Sequence, residues 1–485
     1  MSTIDIIIFI TYFLAMLGVG IYFFRKNKSV EDYYVGGRNM SSWHIGLSVV
    51  ATDVGGGFSI GLGGLGFAIG IAGSWMLFTG LIGAWLSAVV LIPKISKLSK
   101  RHKFLTFPQI FEHYYGGKVA FAAGIISAIG YIGFTSSQLL AGAKLASATF
   151  IEVDLFTALI IMGVIAVIYT SIGGLKAVIY TDTIQWIILM AGLIFIGIPF
   201  AYYAVGGMET IKDTLPNPFL SMSNVTWQQL VNWAVTIIPI WFVGMTLYQR
   251  IYASRDEKQA KKAWFIAGIF EWPLMAFMGV ILGLLSRVAY ENGMFTELGY
   301  ALNAEFDAEM GLPVLLNTVL PVGLMGLMLS AYFSAILSTA DSCLMAASGN
   351  VQTDLLGKLF NFNKDNASHL KVSQITTLII GVLALFLASY MTNVLELMLY
   401  SYAFMVSGLF IPVLMALYTK NPNAKAAIGA MVIGGSVTVL LNTMNIKLPF
   451  DLDANIYGIS ASVISYFIID LFRLLNITAN AERTR

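Results

Sequence analysis

The sequence predicts an all-α polytopic membrane protein of about thirteen transmembrane helices, ten of them in two inverted five-helix units. Three observations predict it. Of 485 residues, 58% are hydrophobic and 11% charged, with mean hydropathy +0.79, whereas a soluble domain carries about 25% charge. Apolar runs of about 20 residues, enough to cross a bilayer, recur along the whole chain. Lysine and arginine gather in alternate connections.

The runs are Ile6–Phe24, Trp43–Ile71, Ser74–Ile92, Val119–Phe150, Leu155–Ser171, Ala177–Ala204, Trp227–Tyr252, Ala263–Ala289, Leu320–Leu355, Val372–Met391, Leu395–Tyr418, Ala426–Leu441 and Ile456–Leu475. The first lacks a basic stretch before it and a small-residue cleavage site after it, so it reads as a retained helix. The fourth and ninth exceed what a bilayer needs, which tilt, extension or an interfacial piece would explain.

Basic residues follow the odd-numbered runs. Arg25, Lys26, Lys28 and Arg38 follow the first, and Lys94, Lys97, Lys100, Arg101 and Lys103 the third. Arg250, Arg255, Lys258, Lys261 and Lys262 follow the seventh, Lys358 and Lys364 the ninth, and Lys420 and Lys425 the eleventh. The connection at 290–319 is acidic instead. Basic connections are expected on the cytoplasmic side. The N-terminus is then outside and the C-terminus inside a cell (plasma or inner) membrane, as an odd number of spans requires.

Composition also excludes. A net charge of +2 gives no reason to expect a nucleic-acid partner. One cysteine, Cys343, excludes an internal disulfide and a cysteine metal site. The four histidines form no ligand or triad spacing, so neither enzyme activity nor a cofactor is expected. Gly61–Gly66 fits G-x-G-x-x-G but lies inside a membrane run, where small-residue helix packing is the better reading. The expected partners are lipid, a small solute and an ion, with the chain as a monomer.

The candidate site begins at Asp53 followed by Gly55, Gly56 and Gly57. A carboxylate at mid-depth and three glycines both argue for an interrupted helix whose freed backbone groups face a cavity. Asp53 is read as a cation or closure residue, against the alternative of a half-helix cap. In the ninth run, Ser334, Ser338, Asp341 and Ser342 share one helical face, with Thr339 beside it. Back-bonding hydroxyls are the ordinary reading of such residues. Hydroxyls gathered with an acid favour a hard cation such as Na⁺. Asp182 and Gln185, after Gly173-Gly174, read equally as a capped helix start near the interface. Pro239 and Gly244 interrupt the seventh run at the position that the glycines hold in the second. Matching interruptions in two inverted halves point to a transporter's midplane site.

These residues resemble the sodium/solute symporter family. Gly173–Gln185 (GGLKAVIYTDTIQ) is similar to one signature of that family, and LSAYFSAILSTADSCL to the other. Tyr33–Arg38 and Tyr248-Gln249-Arg250 fit as well, and the resemblance covers about residues 5–475. It implies a LeuT-type 5+5 inverted repeat: a leading helix (5–25), a first unit (43–205), an inverted second unit (227–418), two extra helices (424–475) and a short cytoplasmic tail (476–485). It implies a main sodium site of the Ala51, Val54 and Ala335 carbonyls with the Ser338 and Thr339 hydroxyls. A second sodium site seen in some members would fall on Asp182, Ser338, Asp341 and Ser342, with Asp341 a carboxylate where a hydroxyl is usual.

The resemblance implies a sodium-coupled symporter. The solute is expected to be an amino acid or small carboxylate, held near Gly55–Gly57 and Gly244. Phe58, Trp75, Gln138, Trp241, Tyr248 and Tyr402 are the expected lining or gating residues. Asp53 resembles the acid of the proline branch. Asp53 and Gly244 stand where a choline-branch cage would need aromatics, and Phe58 and Val243 where a galactose-branch site is polar. A passive channel, a sensor module and proton coupling are the alternatives. Accumulation against a gradient, and uptake across pH at fixed sodium, separate them.

Overall fold

The computed structural model describes residues 2–26, 35–53, 55–150, 152–172, 175–301, 305–359, 366–444 and 446–483. They are overwhelmingly helical, and the sole bridge among them joins Met40 and Ser254. The helices that build the site are α1 (Thr3–Lys26), α2 (Ser42–Asp53), α3 (Gly55–Ile69), α4 (Trp75–Val90), α5 (Ile92–His102) and α6 (Pro108–Tyr115). Then come α7 (Gly117–Thr149), α8 (Leu155–Ile172), α9 (Leu175–Gly192), α10 (Trp227–Val243), α11 (Met245–Ala253), α12 (Glu257–Ile269) and α13 (Ala276–Glu291). The last are α14 (Gly311–Val319), α15 (Leu324–Gly349), α16 (Asn366–Ala388), α17 (Val394–Tyr418), α18 (Ala424–Met444) and α19 (Ala454–Arg483).

Eight helices among the described residues are long and apolar enough to cross a membrane, or nine if the bent pair α10–α11 is one span. Thr3–Ala15, Leu155–Val167 and Val372–Ala388 are apolar but shorter. Length and apolarity therefore do not reach the thirteen spans expected. One reason is physical: a span broken in the middle leaves two short helices, as α2 and α3 are. The basic stretch after the third run is itself helical, with Ile92, Ile95, Ser96 and Ser99 of α5 turned inward.

The core is organised around α15, whose membrane stretch is 94% buried, whereas α19 is only 22% buried and lies at the periphery. α15 packs against α7, α9, α1, α2 and α3. Large apolar side chains such as Ile375, Leu378, Phe467 and Phe472 cover the outer faces, as lipid contact requires. The glycines of α3 serve packing: a Cβ at Gly283 of α13 would overlap the Gly63 carbonyl, and one at Gly66 would overlap Val280. This is the close helix approach that small residues permit.

One largely buried ion cluster ties α7 to the start of α17. Lys144 of α7 pairs with Glu309 at 2.7 Å and Asp307 at 2.6 Å. The Glu309 carboxylate also accepts the backbone amides of Val394 (2.8 Å) and Leu395 (2.9 Å) at the start of α17, where amides are free and an anion is favoured. Lys144→Met leaves that carboxylate buried without its cation. It is expected to cost about 3–5 kcal/mol, read as a lower melting temperature. Lys447→Met, which breaks the exposed pair to Asp451, should leave the melting temperature unchanged.

Candidate functional site

Both interruptions expected from the sequence are present. Gly55 has φ +49° and separates α2 from α3. Only glycine takes that conformation readily. The second break falls at Gly244 (φ −68°, ψ 112°), not at Pro239, which sits inside α10; the helix axis bends there by 43°. Tyr248 Oη donates to the Phe242 carbonyl at 2.7 Å, satisfying one of the carbonyls at the end of α10. A third break, residues 270–275 between α12 and α13, was not anticipated; Trp272 there is extended (φ −137°, ψ 124°).

α15 faces the first break. Thr339 Oγ1 lies 2.9 Å from the Ala51 carbonyl and 3.0 Å from the Ala335 carbonyl. The Ala335 contact is the ordinary back-bond of a helical threonine; the Ala51 contact joins residues 288 apart in sequence. One hydroxyl proton cannot fully serve both carbonyls, so three oxygens converge with one hydrogen among them. Ser338 is turned the other way, donating to Asp182 Oδ1. Of the expected main sodium set, Ala51, Ala335 and Thr339 come together. Val54 lies outside the described residues, as do Gly173 and Gly174 of the signature.

Asp182 is not an interfacial cap. It is wholly buried and meets Arg250 of α11, itself wholly buried, at 3.3 Å. The guanidinium also donates to Ser48 Oγ (3.1 Å), Thr52 Oγ1 (2.5 Å), Ser342 Oγ (3.1 Å) and the Thr246 carbonyl (3.2 Å). Ser48 in turn donates to Asp182 Oδ2 at 2.5 Å. One arginine fork thereby joins α2, α9, α11 and α15. Among the expected second-site residues, Asp182 and Ser342 are engaged by Arg250, and Asp341 accepts from Thr170 of α8. The four do not share one set of contacts.

The expected solute residues divide similarly. Gln138 Oε1 accepts the Gly57 amide at 3.2 Å, capping the first turn of α3, and a Cβ at Gly57 would meet the Gln138 amide at 2.6 Å. Gly56 lies in the same turn, between the break at Gly55 and Gly57. Tyr402 Oη lies 3.4 Å from Asp53 Oδ1, and the Tyr402 ring meets Phe134 edge-on at 5.1 Å. Phe58 and Trp241 are buried, and the Trp241 indole N–H has no hydrogen-bond partner among the described residues. Two expected residues sit apart. Trp75 Nε1 donates to the Met222 carbonyl at 2.9 Å, in the connection before α10. Tyr248 has its hydroxyl spent on Phe242 and its ring 4.4 Å from Phe107.

Sequence reasoning missed Ser48, Thr52, Thr170 and Glu271, and it counted Arg250 with the basic cytoplasmic connection and a motif match, whereas that residue is wholly buried against Asp182. Glu271 could have been found: it is an acid in an apolar run beside Trp272-Pro273, the same signal that singled out Asp53.

Comparison with known proteins places these features. The sodium:solute symporter family model matches residues 33–434. The osmoregulated proline transporter OpuE of Bacillus subtilis is 26% identical over 482 residues, covering 97% of this chain and 95% of that protein. Sodium/glucose cotransporter 1 of Oryctolagus cuniculus is 28% identical over 395 residues, covering 73% of this chain and 58% of that protein. In fold, the chain is similar to a substrate-bound, outward-open Na⁺-coupled sialic acid symporter (TM-score 0.77, 22% identity, 96% of this chain and 97% of that one). It is also similar to Mhp1, a nucleobase-cation-symport-1 transporter, in a closed conformation (TM-score 0.57, 13% identity, 93% and 96%). The all-helical LeuT-type fold expected from the sequence holds. The relatives are transporters, and the expectation that the chain is no enzyme holds with them. With two thirds of its length and more under one family model, and the signature residues gathered at its broken helices, the chain belongs to the sodium:solute symporter family.

Proposed function

We propose that this Na⁺-coupled symporter imports a small polar solute, first an amino acid or small carboxylate, by alternating access about the first helix break. The observation that carries the reading is the meeting of the Ala51 and Ala335 carbonyls with the Thr339 hydroxyl. Sodium there would replace an unfavourable oxygen cluster with a coordinated cation and join the broken helix to α15. Ions and half-helix ends at the midplane are the usual coupling device of such folds. The Arg250 fork on Asp182 and Ser342 supports one principal sodium site, because a fixed cation already neutralises the second set.

Phe58, Gln138, Trp241 and Tyr402 are all buried, so solute reaches them only when helices part. A cavity of about 550 Å³ opens between α3, α10, α17 and the α18–α19 connection, lined by Leu65, Trp233, Asn393, Tyr400, Leu448 and Asn455 among others. Under the proposed orientation, with basic connections cytoplasmic, this cavity is the outer vestibule. Sodium binding favours the state open to it, solute binding permits closure, and rocking exposes both inward.

The test is uptake into proteoliposomes under imposed sodium gradients. Thr339→Ala removes the one side-chain oxygen of the converging set. The half-saturating sodium concentration is expected to rise about tenfold or more, the equivalent of one lost ligand at about 1.4 kcal/mol. The double variant Ser338→Ala/Thr339→Ala should lose sodium dependence. Unchanged sodium dependence in the double variant sinks the proposal.

A further inference from the structure

The third helix break buries Glu271 completely. Neither of its carboxyl oxygens has a hydrogen-bond partner of normal geometry, and among the buried acids described no other leaves both oxygens so. The remaining central acids are answered: Asp182 by Arg250, Ser48 and Ser338, Asp341 by Thr170, and Glu309 by Lys144 and two amides. What faces Glu271 is another carboxyl, Asp53 at the first break, close enough for the two to interact. The placement is built into the sequence. Gly80 of α4 leaves the notch that Glu271 occupies, and a Cβ there would overlap Glu271 Oε2.

Two facing carboxyls in an apolar interior repel unless a cation or proton lies between them, and an unpaired buried charge costs several kcal/mol. Among the described residues, no lysine or arginine is one of their partners. Besides Glu271, Asp53 has among the described residues the long contact from Tyr402 Oη, and the Tyr402 phenol lies within electrostatic reach of both carboxyls. The lining is therefore two carboxyls and a phenol, with the Phe134 ring edge-on to that phenol. That suits an ammonium group, which donates up to three hydrogen bonds and is attracted by aromatic faces. A bare sodium ion would call for a fuller oxygen shell.

We propose that Asp53 and Glu271, brought together from two helix breaks, form the subsite that receives the ammonium group of the transported solute. The substrate class is then amines and amino acids, and plain carboxylates are excluded. This rests on the reading of the chain as a Na⁺-coupled solute symporter. It assigns Asp53 to the solute and gives Glu271 a binding role.

The test uses the purified full chain in detergent, with melting temperature followed in NaCl and in KCl. The probes are matched triplets on the same carbon skeletons: zwitterionic amino acid, amine without carboxylate, and carboxylate without nitrogen. One triplet is L-proline, pyrrolidine and cyclopentanecarboxylate; others run through linear chains. Ammonium-bearing members are expected to raise the melting temperature in NaCl, and the nitrogen-free acids are not. Glu271→Gln should weaken their binding by about thirtyfold or more, with Glu271→Asp retaining part of it. Stabilisation by Na⁺ alone should persist in Glu271→Gln, which shows that the variant folds and keeps its ion site. The proposal is overturned if nitrogen-free acids bind as well, or if Glu271→Gln binds the ammonium probes unchanged. It is overturned equally if no ammonium-bearing probe binds, or if Glu271→Gln removes the sodium response, which would make the pair an ion site. Failure of the sodium-coupled reading looks different: ligand shifts would then be equal in NaCl and KCl.

Discussion

Arg250→Ala is expected to destabilise the protein by about 3–5 kcal/mol, because it strands Asp182 as a buried carboxylate. Arg250 and Asp182 are both wholly buried. Ser48 and Ser338 would remain beside the carboxylate, but hydroxyls do not neutralise it. The measurement is thermal unfolding in detergent, with a double-mutant cycle through Asp182→Asn. The pair Arg250→Ala/Asp182→Asn should be markedly more stable than the two single losses summed, since neither charge is then left alone. Arg250→Lys should recover little. A lysine has no planar fork with which to hold Thr52, Asp182 and Ser342 together. Additive losses in the cycle would show that the pair is not coupled.

Gly55→Ala is expected to abolish sodium-driven uptake while leaving the rest of the bundle folded. Two costs fall at one position. A φ of +49° costs a non-glycine residue about 1–2 kcal/mol. A Cβ there would also lie 2.5 Å from Thr339 Oγ1, so that the hydroxyl is pushed off the Ala51 carbonyl. Sodium should lose its stabilising effect in a thermal-shift assay, and uptake should fall at least about tenfold. Gly18→Ala in α1 is the control, since open space surrounds that position and its uptake should match the wild type. Normal sodium response in Gly55→Ala would remove the break from the ion site.

Much of the fold was legible in the sequence because its causes are local or nearly so. Apolar run length and the placement of lysine and arginine marked the membrane helices. Gly55 and Gly244 marked two breaks, because glycine weakens a helix wherever it stands. The hydroxyl stripe of α15 was legible from helical spacing. Span number was less so: a hydropathic run does not say whether its middle is helical, and α2 and α3 show that it need not be. The acid pair at the third break went unread for a related reason. Trp272-Pro273 and Glu271 carry the same signal as Asp53, but their meaning depends on what lies opposite them.

Which residues share a helix face was thus set by the sequence alone: membrane class, two of the breaks, and the stripe holding Ser334, Ser338 and Ser342. Which faces meet, and which partner each polar group takes, only the tertiary structure decided. Ser338 took Asp182, while its neighbour Thr339 took the helix break. Asp341, on the same stripe, took Thr170 instead. Arg250 reached Ser48 and Thr52, about 200 residues away in sequence. Glu271 ended opposite Asp53. The physical reason is that helical periodicity is a property of a few consecutive residues. The pairing of buried charges and hydroxyls is a competition among all the donors and acceptors that packing brings within about 3 Å of one another.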